Sequence, residues 1–227
     1  MRKFAVIGLG RFGQKLAITL TMSQAQVIAI DQNREIIEQI RDQVTHAVRL
    51  DSTDEDALRA QGIDKVDVAI VGIGQGGRGF ESVILTVVNL KALGVPQIYA
   101  RAESLIEGQV LSKIGATEVI YPEIESAQRW AYKLITPQIT EKIDFAPGYS
   151  IASVIAPAGY HRKTVLDLQL RQKYRVNLVS IKRGEKTEDV KQKGEVINVP
   201  LPDTVIYEGD ILMVAGSDAD LAKLPQE

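Results

Sequence analysis

The sequence predicts a doubly wound α/β sheet followed by a smaller α+β module. Three observations carry this. A glycine turn, Gly8-Leu9-Gly10-Arg11-Phe12-Gly13, joins an apolar run to an amphipathic helical pattern near the start of the chain. Short continuous apolar runs then alternate with helical patterns to about residue 135. Thr136-Pro137 and Pro147-Gly148 mark a change of pattern after it.

Taken in order, strands are expected at 4–8, 26–30, 46–50, 66–71, 97–101 and 118–121. Helices are expected between and after them at 12–22, 34–42, 55–61, 81–93, 105–114 and 124–135. The strands are unbroken apolar runs, as a parallel sheet covered on both faces requires. Gly62, Gly94 and Gly115 each follow the last apolar position of a helical pattern and serve as stops. Beyond the change of pattern, strands are expected at 150–156, 176–182, 195–199 and 211–215, with a helix at 165–173. Ser217-Asp218 caps a last short helix. The polar stretch 182–193 reads as a solvated hairpin loop. The expected organisation is a nucleotide-binding domain over 1–135, a linker over 136–148 and an α+β module over 149–227.

Composition narrows the function classes. The chain has 227 residues, 45% hydrophobic and 25% charged, with a net charge of −2. There is no basic field for sequence-independent nucleic-acid binding. Cysteine is absent, so disulfides, thiolate metal sites and cysteine nucleophiles are excluded. The chain enters a strand directly, without a signal-peptide pattern. No apolar run approaches the roughly 20 residues of a membrane span, so any membrane role is expected to go through a partner.

The glycine turn is the Rossmann-type dinucleotide fingerprint in its required context. Gly8 permits the tight turn, Gly10 lets the backbone approach a phosphate, and Gly13 lets the helix pack on the strand. Free N–H groups at the helix start favour phosphate. Asp31, at the tip of the second strand, is placed for ribose hydroxyls. Arg11 lies in the turn, where a guanidinium either pairs with phosphate or is solvated at the surface. Asp51 and Ser52 offer polar groups near a base, while Thr53 or Asp54 caps the next helix. The glycine-rich loop 72–79 either approaches a ligand or is a plain connection. Arg101, at the fifth strand's tip, serves phosphate or an interdomain salt bridge. The candidate nucleotide site is thus Gly8, Gly10, Arg11, Phe12, Gly13, Asp31, Asp51, Ser52, Thr53, Gly72, Gly74 and Arg101. Glu123 taken alone reads as an acid at a helix start. His46 and His161 read as structural.

These residues resemble KTN/RCK domains, the cytosolic regulators of bacterial potassium channels and transporters of the Ktr and Trk type. Phe4-Ala5-Val6-Ile7-Gly8-Leu9-Gly10-Arg11-Phe12-Gly13, Val27-Ile28-Ala29-Ile30-Asp31 and Asp51-Ser52-Thr53-Asp54-Glu55 carry the likeness. Ala100-Arg101-Ala102, Lys113-Ile114-Gly115-Ala116 and Tyr121-Pro122-Glu123 extend it. The last unit is similar to the RCK C-terminal module, and the single copy fits the Ktr type. The resemblance implies ATP or ADP in the crevice, with NAD(H) in some relatives. It implies a homo-oligomer, an octameric ring of dimers, docked under a membrane potassium-translocating subunit. The protein would then be cytoplasmic and peripheral to the membrane through that partner. ATP would favour conduction and ADP inactivity. Arg11 would approach the terminal phosphate, Asp31 the ribose, and Asp51, Ser52 and Thr53 the base. Glu123 matches a glutamate that helps hold a divalent or monovalent cation at a dimer interface. Arg171, Asn177 and Leu178 resemble positions that bind cyclic di-AMP in some relatives. The chain departs from the family's frequent Gly-Asp-Ala-Thr at Leu50-Asp51-Ser52-Thr53, and Leu178 stands where isoleucine is common.

Two other readings share parts of the pattern. A nicotinamide-dependent dehydrogenase would need a general acid or base after residue 140, and none shows there. A nucleotide-sensing repressor would need a basic helix-turn-helix, which is absent from the sequence.

Overall fold

A computed structural model describes residues 2–74, 79–135, 139–184 and 194–225. The chain divides into two compact units, Met1–Ser126 and Ala127–Glu227.

In the first unit, β1 (Lys3–Ile7), β2 (Gln26–Asp31), β3 (His46–Arg49), β4 (Val68–Val71), β5 (Gln97–Arg101) and β6 (Glu118–Ile120) form one sheet. Its order is β3-β2-β1-β4-β5-β6, and all its pairings are parallel. The apolar runs form strands because both faces are covered. On one face, α1 (Arg11–Met22) and α2 (Arg34–Ile40) bury Ala17 and Ile40 against Val6, Val27 and Ala29. On the other, α3 (Glu55–Ala60), α4 (Gly79–Ala92) and α5 (Leu105–Ile114) bury Leu58, Val83, Val87, Leu90 and Leu111 against Ala5, Ile7 and Val71. Sequence order reverses between β1 and β4, so the helices change face there. That switch opens a crevice at the carboxyl ends of the strands. α6 (Pro122–Ile135) is amphipathic, buries none of its residues and runs across the division between the units.

The second unit is a five-stranded antiparallel sheet of order β10-β9-β11-β8-β7. Its strands are β7 (Ile139–Ala146), β8 (Tyr149–Ile155), β9 (Asn177–Lys182), β10 (Val196–Ile197) and β11 (Ile211–Ser217). Ala152, Val154, Ile181, Leu212 and Val214 form its core with Leu168, Leu170 and Leu221. Three expectations are corrected here. The segment 136–148 is not a linker throughout: 139–146 is strand β7, and Pro147-Gly148 lies in the turn joining it to β8. The helix expected over 165–173 is two short helices, α7 (Val165–Leu168) and α8 (Leu170–Tyr174), broken where Gln169 takes φ +49°. The strand expected over 195–199 shrinks to the two residues of β10. The last helix among the described residues is the short α9 (Asp218–Leu221), capped by Ser217 as expected. Residues 136–138 and most of the polar stretch 182–193 lie outside the described residues.

Candidate functional site

An open cleft of about 620 Å³ lies at the switch between β1 and β4. Its first wall is backbone. Gly8 takes φ +87°, and a Cβ there would stand 2.6 Å from the Ile73 nitrogen, so a side chain would push the β1 and β4 tips apart. A Cβ at Gly13 would stand 2.0 Å from the Gly8 carbonyl oxygen, so α1 meets the end of β1 at a distance open to glycine alone. Gly10 starts α1 without a side-chain cap, and the first turn holds no acid. The N–H groups of that turn therefore face the cleft mouth with the positive end of the helix dipole.

Asp31, the last residue of β2, fixes this wall. Its Oδ2 accepts the Leu9 N–H at 2.7 Å and its Oδ1 accepts the Asn33 N–H at 2.8 Å. The carboxylate braces the glycine turn, and each oxygen keeps lone-pair capacity for a ligand hydroxyl.

The second wall comes from the loop after β3 and from α4. Leu50, Asp51 and Ser52 line it beside Ile73, Gly74, Gly79 and Ser82. Asp51 Oδ1 accepts from the Thr53 N–H (2.9 Å) and hydroxyl (2.7 Å), folding the loop on itself. Asp54 then caps α3 by accepting from the Ala57 N–H. The buried hydroxyls of Ser52 and Thr86 lie 2.7 Å apart. Asn89 Nδ2 donates to the carbonyls of Thr53 (2.9 Å) and Ser52 (3.3 Å).

Of the residues singled out from sequence, Gly8, Gly10, Asp31, Asp51, Ser52 and Gly74 line the cleft. Arg11 is exposed at the first position of α1. Phe12 packs into the α1–α2 core, and Gly13, Gly72 and Thr53 support the walls from behind. Arg101 neighbours Gly74 and pairs with Glu123 at 2.8 Å and more loosely with Glu103 at 3.4 Å. Glu123 thus meets a guanidinium from its own chain. No group of three or more His, Asp or Glu that could hold a metal ion occurs among the described residues. Residues 75–78 of the glycine-rich loop lie outside the described residues.

Sequence reasoning missed Gln32, Ile36 and Ser82 on the cleft, and Thr86 and Asn89 behind it, whereas Ile73 and Gly79 belong to the glycine-rich loop it singled out. Thr86 had a readable signal. It is a polar residue on the stripe that Val83, Val87 and Leu90 bury.

In the second unit, Asn177 lines a cleft of about 450 Å³ with Phe145, Tyr149, Arg175, Ser217 and Asp220. The other two residues singled out there do not line it. Arg171 is exposed on α8, and Leu178 packs against the core. His161 donates from Nε2 to the Ala156 carbonyl, a structural role.

The TrkA-N domain family matches residues 4–122, and the TrkA-C domain family matches residues 150–225. The chain is 36% identical to the Ktr system potassium uptake protein C of Bacillus subtilis over 98% of its own length and 95% of that protein's. It is 32% identical to the Ktr system potassium uptake protein A of the same organism, over 100% of this chain and 96% of that one. The chain belongs to the RCK regulatory subunits of Ktr systems. Its fold agrees: a GsuK channel structure superposes with a TM-score of 0.66 at 17% identity, over 98% of this chain. The chain spans 38% of that structure's length, which therefore supports the fold alone. The Bacillus relatives of this RCK subunit are potassium uptake proteins.

Proposed function

We propose that this RCK subunit is a cytosolic nucleotide sensor that gates a separate potassium-translocating membrane subunit, with ATP and ADP as opposing ligands. The observation that carries the reading is the cleft at the β1–β4 switch. It is walled by an uncapped helix start and the glycine turn on one side, and by polar loop residues on the other. No helix among the described residues is long and apolar enough to cross a membrane, which fits action through a partner. The glycine turn and the first N–H groups of α1 take the phosphates. Asp31 takes the ribose, and Asp51 and Ser52 face the base. Oligomerisation, as an octameric ring of dimers, belongs to the same proposal. A cation at Glu123 belongs to it only where a second copy or a phosphate supplies further oxygen ligands. Of the cyclic di-AMP positions Arg171, Asn177 and Leu178, Asn177 lines the second unit's cleft and the other two do not.

A ligand moves a conformational equilibrium only by the difference in its affinity for the two states, and a full switch needs about 5.5 kcal/mol. Arg11 supplies a source of that difference. Its exposed guanidinium follows Gly10 at the cleft mouth, where a third phosphate adds charge-assisted contacts that a diphosphate lacks. Calorimetric titration of nucleotide-free protein with ATP, ADP and NADH tests the reading. Micromolar or tighter ATP and ADP with weak NADH is expected, and Arg11→Ala should bring the ATP and ADP affinities together. An unchanged ratio in that variant removes Arg11 from the mechanism. The fingerprint with an acid at the tip of β2 also suits a dinucleotide. Tight NADH with negligible ATP would make the subunit an NAD(H)-binding regulator of the Trk type instead. The Bacillus relatives lend no support to a dehydrogenase.

A further inference from the structure

Among the described residues of the first unit the buried polar side chains are Ser52, Ser82 and Thr86, of which Ser52 and Ser82 line the cleft and Thr86 stands behind them. Helix α4 supplies two of them. Ser82, Thr86 and Asn89 stand at intervals of four and three residues, so they share one face of that helix. This face is bound to the loop after β3 at three points. Thr86 Oγ1 meets Ser52 Oγ at 2.7 Å, and the Asn89 amide reaches the Ser52 and Thr53 carbonyls. Thr86 is fully buried, so its hydroxyl has no water to replace Ser52. The partners are 34 to 37 residues apart in sequence, so neither the loop nor the helix sets the contact alone.

We propose that Thr86 and Asn89 are positioning residues for the nucleoside end of the cleft. The inference rests on the nucleotide reading above. Asp51 and Ser52 can meet a ligand only where the loop holds them, and α4 holds the loop. The phosphate end is built separately, from the glycine turn and the start of α1, which Asp31 only braces through the Leu9 N–H. The two ends therefore separate by mutation. Loss of the α4 brace weakens every nucleotide with the same nucleoside by one factor, and it leaves the discrimination between triphosphate and diphosphate unchanged.

The test is calorimetric titration of the full chain with ATP and with ADP, for wild type, Thr86→Val, Thr86→Ser and Asn89→Ala, alongside thermal unfolding of each. Thr86→Val keeps the shape and removes the hydroxyl. It should weaken ATP and ADP together by roughly tenfold, the ratio that 1.4 kcal/mol represents. Thr86→Ser should restore both affinities, a rescue that a purely space-filling role for Thr86 would not give. Asn89→Ala should act like Thr86→Val, and it decides the matter should Thr86→Val not fold. Wild-type affinities in a folded Thr86→Val or Asn89→Ala overturn the proposal, as does a shifted ATP-to-ADP ratio. A wild-type protein that binds neither nucleotide overturns the nucleotide reading itself, and this inference with it.

Discussion

Among the described residues of the first unit the buried polar side chains are neutral hydroxyls, and they collect beside an open cleft. In the second they include a full ion pair, Arg183 with Asp210, which is almost wholly buried. Arg183 Nη1 donates to Asp210 Oδ2 at 2.6 Å and to the Val205 carbonyl at 2.9 Å. Asp210 also accepts the N–H groups of Tyr207 and Gly184, and the guanidinium lies over the Tyr207 ring. A buried charge needs its whole coordination supplied by the fold, because losing one partner strands the other. A buried hydroxyl is less demanding, so it can stand at the edge of a site whose contents change. The second unit ties its loops with a buried ion pair, and the first ties a loop to a helix with neutral hydroxyls beside an open cleft.

The largest expected effect breaks the closed cluster. Asp210→Ala should destabilise the second unit by about 3–5 kcal/mol, since it leaves the Arg183 charge buried without its partner. Urea unfolding of the full chain measures this. Replacing both residues by apolar ones of similar volume should cost less than Asp210→Ala alone. A loss below about 1 kcal/mol for Asp210→Ala would mean that water reaches Arg183, and the contrast between closed and open clusters would fail.

An intermediate effect sharpens the other side of the comparison. The glycine wall of the cleft holds position through contact distance, with the Asp31 carboxylate bracing its turn. Gly13→Ala places a methyl 2.0 Å from the Gly8 carbonyl oxygen, so α1 must move away from the end of β1. Such overpacking costs about 1–3 kcal/mol. The displaced helix start should also weaken ATP and ADP more than Asp210→Ala does, because Asp210 lies in the other unit. Equal binding losses in the two variants would show that the units do not divide stability and ligand binding in this way.

Local pattern made much of this legible. Continuous apolar runs announced β1 to β6, and Gly8, Gly10 and Gly13 announced the first cleft wall with Asp31. The second wall was only half readable. Asp51 and Ser52 were visible as polar residues after a strand, but their attachment to Thr86 and Asn89 depends on how α3 and α4 pack on one sheet face. Strand β7 was missed for a related reason. Its Glu141, Ile143, Phe145 and Ala146 are exposed, and Pro137 and Pro147 bracket it, so an edge strand read as a linker. The pairing of Arg101 with Glu123 joins the tip of β5 to the start of α6 across 22 residues, and no local pattern encodes it.

The smallest expected effect lies at the rim of the second unit, where a charge is paired but not buried away from water. Asp218 begins α9, accepts from the Ser150 hydroxyl and pairs with Lys142 at 3.1 Å. The Ser150 hydrogen bond, and after it Lys142, hold its carboxyl below the ordinary value of 3.8. A carboxyl that binds its proton less readily when folded stabilises the fold above the unfolded value, and that contribution fades as pH falls through the folded one. Solvent reaches much of this group, so the contribution is small beside that of Asp210. Urea midpoints at pH 7, 5, 4 and 3 should fall more steeply below pH 4 for wild type than for Asp218→Asn, which has no charge to lose. Parallel curves would place the acid sensitivity of this unit elsewhere. The contrast between the two units would then rest on Arg183 and Asp210 alone.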